Sequence, residues 1–101
     1  MGVREKLVSS YGDDLLFADG FDSCIIGVSV GCYSGRVVYD LQKTIEACVG
    51  EAGMTYGEAV EWIEFNTISA YVGEHTPIFI ETFNDKYKRM RVSKYKLREE
   101  T

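Results

Sequence analysis

One histidine, one proline and one tryptophan occur in 101 residues, and cations are scarce until the last stretch of the chain. With His75 as the sole imidazole, any Cys/His or Ser/His pair for nucleophilic catalysis must use it. His75 sits beside Glu74 in a connector, where a surface or turn role is the ordinary reading. Zinc-ligand spacing is missing, because Cys24, Cys32 and Cys48 form no C-x-x-C pair. An odd cysteine count without a secretory leader predicts reduced thiols in a cytosolic protein. No apolar run approaches the roughly 20 residues of a membrane span. Met1–Lys6 is charged and no apolar stretch follows it, so the start of the chain does not read as a signal peptide. Glycine is plentiful, yet Gly27, Gly31 and Gly35 match neither a dinucleotide fingerprint nor a P-loop. No cofactor is expected.

Charge is present, but it is divided. Residues 1–85 carry Arg4, Lys6, Arg36 and Lys43 against fourteen Asp/Glu, a net of 4 − 14 = −10. Residues 86–101 carry seven Lys/Arg against Glu99 and Glu100, a net of 7 − 2 = +5. Charge of one sign gathered on one region selects partners, so this division points to binding rather than catalysis. The length sets a single domain, and a hydrophobic fraction of 46% suits a globular one.

Val3, Leu7, Val8 and Tyr11 have helical spacing, ended by Gly12-Asp13-Asp14. Asp19-Gly20-Phe21-Asp22 reads as a turn. Cys24–Val30 and Arg36–Tyr39 read as the strands of a hairpin about the loop Gly31–Gly35. Asp40 is placed to cap a helix whose apolar stripe is Leu41, Ile45, Cys48, Val49 and Ala52, and Gly53 ends it. Thr55-x-x-Glu58 is a capping box, with Met54 at the position of a hydrophobic staple. The helix it opens is predicted to run to about Ala70, with Ala59, Val60, Ile63, Thr67 and Ala70 inward. Pro77 precedes a last strand, Ile78–Ile80. The expectation is an α+β domain over residues 1–83, a three-stranded antiparallel sheet packed against two or three helices. A basic C-terminal extension follows over residues 84–101.

Three groups of residues invite a functional reading. Asp13, Asp14, Asp19 and Asp22 offer oxygens to a hard cation, but their spacing is not that of an EF-hand. Turn and cap roles account for them, and no metal is expected. Glu46 and Glu51 on one helix, with Glu58, Glu61 and Glu64 on the next, form an acidic outer face. Such a face is either a solvated surface or a mimic of phosphate that occupies arginines in a partner's basic groove. In the extension, Lys86, Lys88, Arg89, Arg91, Lys94, Lys96 and Arg98 alternate with Tyr, Met, Val and Leu. This segment folds back on the acidic body, grips nucleic-acid phosphates with Tyr87 and Tyr95 stacking on bases, or pairs with a second copy in a homodimer.

The runs Asp19-Gly20-Phe21-Asp22, Ile25-Ile26-Gly27-Val28 and Val37-Val38-Tyr39-Asp40 belong to a wider pattern. It continues through Gly53-Met54-Thr55-Tyr56-Gly57-Glu58-Ala59, Glu64-Phe65-Asn66, Val72-Gly73-Glu74 and Thr76-Pro77-Ile78-Phe79. Over about residues 19–80 the chain resembles a family of small proteins encoded by tailed bacteriophages. The resemblance implies expression in a host bacterial cytoplasm and implies no activity. The expectation is then a non-catalytic interaction protein that binds and inhibits a host protein through its acidic face. A nucleic-acid-binding defence complex is the partner that chemistry suits, as for an anti-CRISPR protein. The alternative is a nucleic-acid-binding accessory protein that works through the basic extension. No membrane contact is expected.

Overall fold

The computed structural model describes residues 2–68 and 70–82. The basic extension, 84–101, lies outside the described residues. Three helices and three strands form an α+β domain in the order α1 (Val3–Tyr11), β1 (Ile25–Val28), β2 (Val37–Asp40), α2 (Leu41–Ala52), α3 (Tyr56–Ile63) and β3 (Ile78–Ile80). No described helix is long and apolar enough to cross a membrane.

The predicted hairpin is present. β1 pairs antiparallel with β2, Ile25 facing Tyr39 and Val28 facing Val37. Gly27 faces Val38, so Ile26 is the extra residue of a bulge. Ser29 closes the loop: its hydroxyl donates to the Tyr33 carbonyl and accepts from the Arg36 N–H at 3.1 Å.

The third strand corrects the antiparallel expectation. β3 lies on the other side of β2 and runs parallel to it, with Val38 beside Ile78, Tyr39 beside Phe79 and Asp40 beside Ile80. A parallel neighbour needs a crossover that returns the chain to its starting end. The stretch from Asp40 to Ile78, which holds α2 and α3, supplies that return.

Capping residues set the helix boundaries. Asp40 Oδ1 accepts from the Lys43 N–H at 3.0 Å, and the buried Thr44 hydroxyl donates to the Asp40 carbonyl at 2.8 Å. Gly53 ends α2 in the left-handed region, at φ 72°. In the reciprocal cap of α3, Glu58 N–H donates to Thr55 Oγ1 at 3.2 Å and Thr55 N–H donates to Glu58 Oε1 at 2.9 Å.

The α-helix stops at Ile63, short of the predicted Ala70, and a π-helical turn covers Glu64–Ile68. Asn66 provides the physical reason. Its side-chain amide donates to the Trp62 carbonyl at 3.0 Å, the acceptor that residue 66's own N–H would take in an α-helix.

The core lies on one face of the sheet. Val37 and Tyr39 are fully buried there against Ile45 and Cys48 of α2, Ala59 and Ile63 of α3, and Leu15, Phe21 and Cys24 of the 15–24 segment. Tyr39 is its centre: the ring stacks on Phe79 at 5.1 Å, and the phenol oxygen accepts from the Ala18 N–H at 2.7 Å. α1 buries no residue fully, although Leu7 packs on the core.

Candidate functional site

Glu46, Glu51, Glu58, Glu61 and Glu64 are all exposed. They do not form one stripe. Glu46 and Glu51 are five residues apart on α2, which turns the second roughly 140° from the first. Glu46 Oε2 accepts from Gln42 Nε2 at 3.2 Å, and Gln42 Oε1 accepts from the Tyr56 hydroxyl at 3.3 Å. This chain of bonds ties Glu46 to the start of α3. Glu58 has a structural duty as the reciprocal cap of that helix. Glu61 and Glu64 are exposed and make no side-chain hydrogen bond or ion pair among the described residues.

Two aromatic residues stand among these carboxylates. Neighbours on a helix surface are three and four residues apart. Glu58, Glu61, Trp62 and Phe65 therefore form one row, bordered by Glu64 at the start of the π turn. Phe65 is 86% exposed. Trp62 is 39% exposed, with its ring 6.2 Å from the buried Phe21 ring. One edge of the row is thus fixed to the core and the other stands in water. The sequence pattern assigns Ala59, Val60 and Ile63 to the inward side and the glutamates to the outward side, and leaves Trp62 and Phe65 unassigned. Their spacing within Glu58–Phe65 was the signal available.

Two members of the acidic cluster, Asp19 and Asp22, have a partner within the chain. Arg4 Nε donates to both carboxylate oxygens of Asp22 at 2.9 Å, and its NH2 group donates to Asp19 at 3.1 Å. The Arg4 guanidinium also lies 4.9 Å from the centre of the Phe17 ring. The hydrogen bond to Asp22 is the largest influence raising the Arg4 pKa. The cation held by Asp19 and Asp22 is therefore a side chain of α1. Among the described residues, no group of three His, Cys, Asp or Glu is placed to hold a metal ion. Arg4→Ala is expected to cost about 1 kcal/mol, the scale of a partly exposed ion pair with a cation–π contact. The loss should concentrate in the amide-exchange protection of residues 3–11, with the β2 amides little changed.

His75 serves the fold. Its Nδ1 lies 2.8 Å from the Gly35 carbonyl oxygen, which can only accept, so Nδ1 carries the proton and donates. The bond ties the 71–77 connector to the hairpin loop. Gly35 is required there twice over. Its φ is +83°, and an added Cβ would sit 2.9 Å from His75 Nδ1. Gly35→Ala should therefore lower unfolding stability by about 2 to 3 kcal/mol, combining left-handed strain with loss of the hydrogen bond. His75→Ala should cost only about 1 kcal/mol, and urea unfolding of the two variants checks the ordering.

Cys24 and Cys48 are buried thiols and Cys32 is an exposed one. Burial, with smaller contributions from Cys24 and Glu51, pushes the Cys48 thiol pKa up and keeps it protonated. Lys86, Lys88, Arg89, Arg91, Lys94, Lys96 and Arg98 lie outside the described residues. No family model, curated protein or solved structure matches this chain.

Proposed function

We propose that this protein is a non-catalytic, phage-encoded interaction protein that binds and inhibits a host protein through the acidic and aromatic row formed by α3 and the π turn that follows it. The observation that carries the reading is the placement of Phe65, 86% exposed, beside the exposed carboxylates of Glu61 and Glu64. Full burial of a phenylalanine side chain is worth about 1.5 to 3 kcal/mol, and the folded chain leaves that energy unused. Aromatic anchors ringed by polar groups are the usual centre of a protein interface. Carboxylates offer an arginine-lined groove the same bidentate geometry as phosphate. The partner that fits is a host protein with a basic groove bordered by an apolar pocket, as in a nucleic-acid-binding defence complex. Inhibition would then follow from occupying the groove that holds nucleic acid, in the manner of an anti-CRISPR protein.

Affinity capture with the tagged full-length chain from bacterial lysate, with and without nuclease, tests the proposal. A defined protein retained after nuclease treatment is the expected result. Capture of nucleic acid alone, or of partners that nuclease removes, would transfer the function to residues 86–98.

A further inference from the structure

The sheet has a second face. Val38, Ile78 and Ile80 alternate with the core-facing Val37, Tyr39 and Phe79, so they point away from the core. Ile26, the bulge residue, joins them as an apolar side chain outside the core cluster. Ile26 is 44% exposed and Ile80 38% exposed. Gly27 faces Val38, and a Cβ built at Gly27 would meet nothing within 4 Å. Three strands thus present four aliphatic side chains on the face opposite the helices.

We propose that this outer face is the docking surface for residues 83–101 of the same chain. The place where the described chain ends supports this. β3 stops at Ile80, and the Thr82 hydroxyl donates to Asp40 Oδ2 at 3.4 Å. That contact sets the exit of the chain at the C-terminal end of β2, whose Asp40 is paired with Ile80. Residues 83–101 are nineteen in number. Crossing three strands needs only about 10 Å, and nineteen residues reach about 60 Å when extended. The composition matches the surface. Phe83, Tyr87, Met90, Val92, Tyr95 and Leu97 supply apolar cover for Ile26, Val38, Ile78 and Ile80. The seven cations interleaved with them suit a body of net charge −10 over residues 1–85. Individual surface ion pairs are weak, so the apolar contacts hold the segment and choose the face on which it lies. Docking of this kind leaves the row on α3 free and does not depend on what that row binds.

The test is nuclear magnetic resonance of the full-length chain with labelled isoleucine methyls and labelled Tyr and Phe rings. Through-space contacts are expected from the methyls of Ile26, Ile78 and Ile80 to the rings of Phe83, Tyr87 or Tyr95, and they should persist in 0.5 M salt. A mixture of methyl-labelled chains with separately ring-labelled chains should lose those contacts. Contacts that survive in the mixture would assign the face to a second copy and overturn the proposal. Absence of contacts, or their disappearance at high salt, would overturn it as well.

Discussion

Tyr39→Ala is expected to lower unfolding stability by about 3 to 5 kcal/mol, the range for removing a large buried aromatic. Small domains are stable by about 5 to 15 kcal/mol, so this one change brings the fold close to its limit. Tyr39 has no exposed surface, its ring stacks on Phe79, and its hydroxyl holds the Ala18 N–H. It joins β2, β3 and the 15–24 segment at one point. Tyr39→Phe separates these contributions. The ring contacts survive, the Ala18 N–H loses its acceptor, and the expected cost falls to about 1 to 3 kcal/mol.

Burial is the largest influence on the Tyr39 phenol and raises its pKa, while the hydrogen bond from Ala18 opposes the rise. The native state therefore keeps the proton where the unfolded chain, with an ordinary tyrosine value of about 10, releases it. The stability from this group is intact below pH 10. It falls as pH rises above 10, by up to about 1.4 kcal/mol per unit. Cys48, raised for the same reason, begins the decline from about pH 8.5. Urea unfolding of the wild type and Tyr39→Phe between pH 8 and 11 measures this. The variant should show the shallower fall above pH 10.

Phe65→Ala is expected to leave stability within about 0.5 kcal/mol of the wild type, because the side chain is 86% exposed. The same change should weaken binding of the captured host protein by roughly 30-fold or more, the 2 kcal/mol scale of an aromatic hot spot. Trp62→Ala should differ in kind. Its ring touches buried Phe21, so truncation should weaken binding and also lower unfolding stability by roughly 1 kcal/mol. Thermal unfolding beside a binding titration distinguishes the two. Equal binding by wild type and Phe65→Ala would remove the aromatic anchor from the account.

The parts of the fold visible in the sequence are those set by neighbours along the chain. Asp40, Gly53 and the Thr55/Glu58 pair fix helix ends through residues at most a few positions away. The hairpin and the bounds of β3 follow the same local rules. What the sequence concealed depends on distant partners. Whether β3 runs with or against β2 is decided by the path through α2 and α3. Arg4 finds Asp22 eighteen positions away, an ion pair that spacing along the chain does not show. The π turn rests on the choice of acceptor made by one asparagine side chain. In the candidate site the acidic residues were legible as a pattern. Their separation into a capping Glu58, a bonded Glu46, and Glu61 and Glu64 without a side-chain partner among the described residues needed three dimensions.

Charge reversal of the acidic row tests the central claim most directly. Glu61→Lys combined with Glu64→Lys is the informative pair, because Glu58 also caps α3 and its replacement would confuse binding with folding. The measurement is the affinity of the captured host protein for the wild type and for this double variant, with circular dichroism confirming that both are folded. The account predicts a folded variant whose binding falls at least 100-fold. A folded variant that binds and inhibits as the wild type does would contradict it.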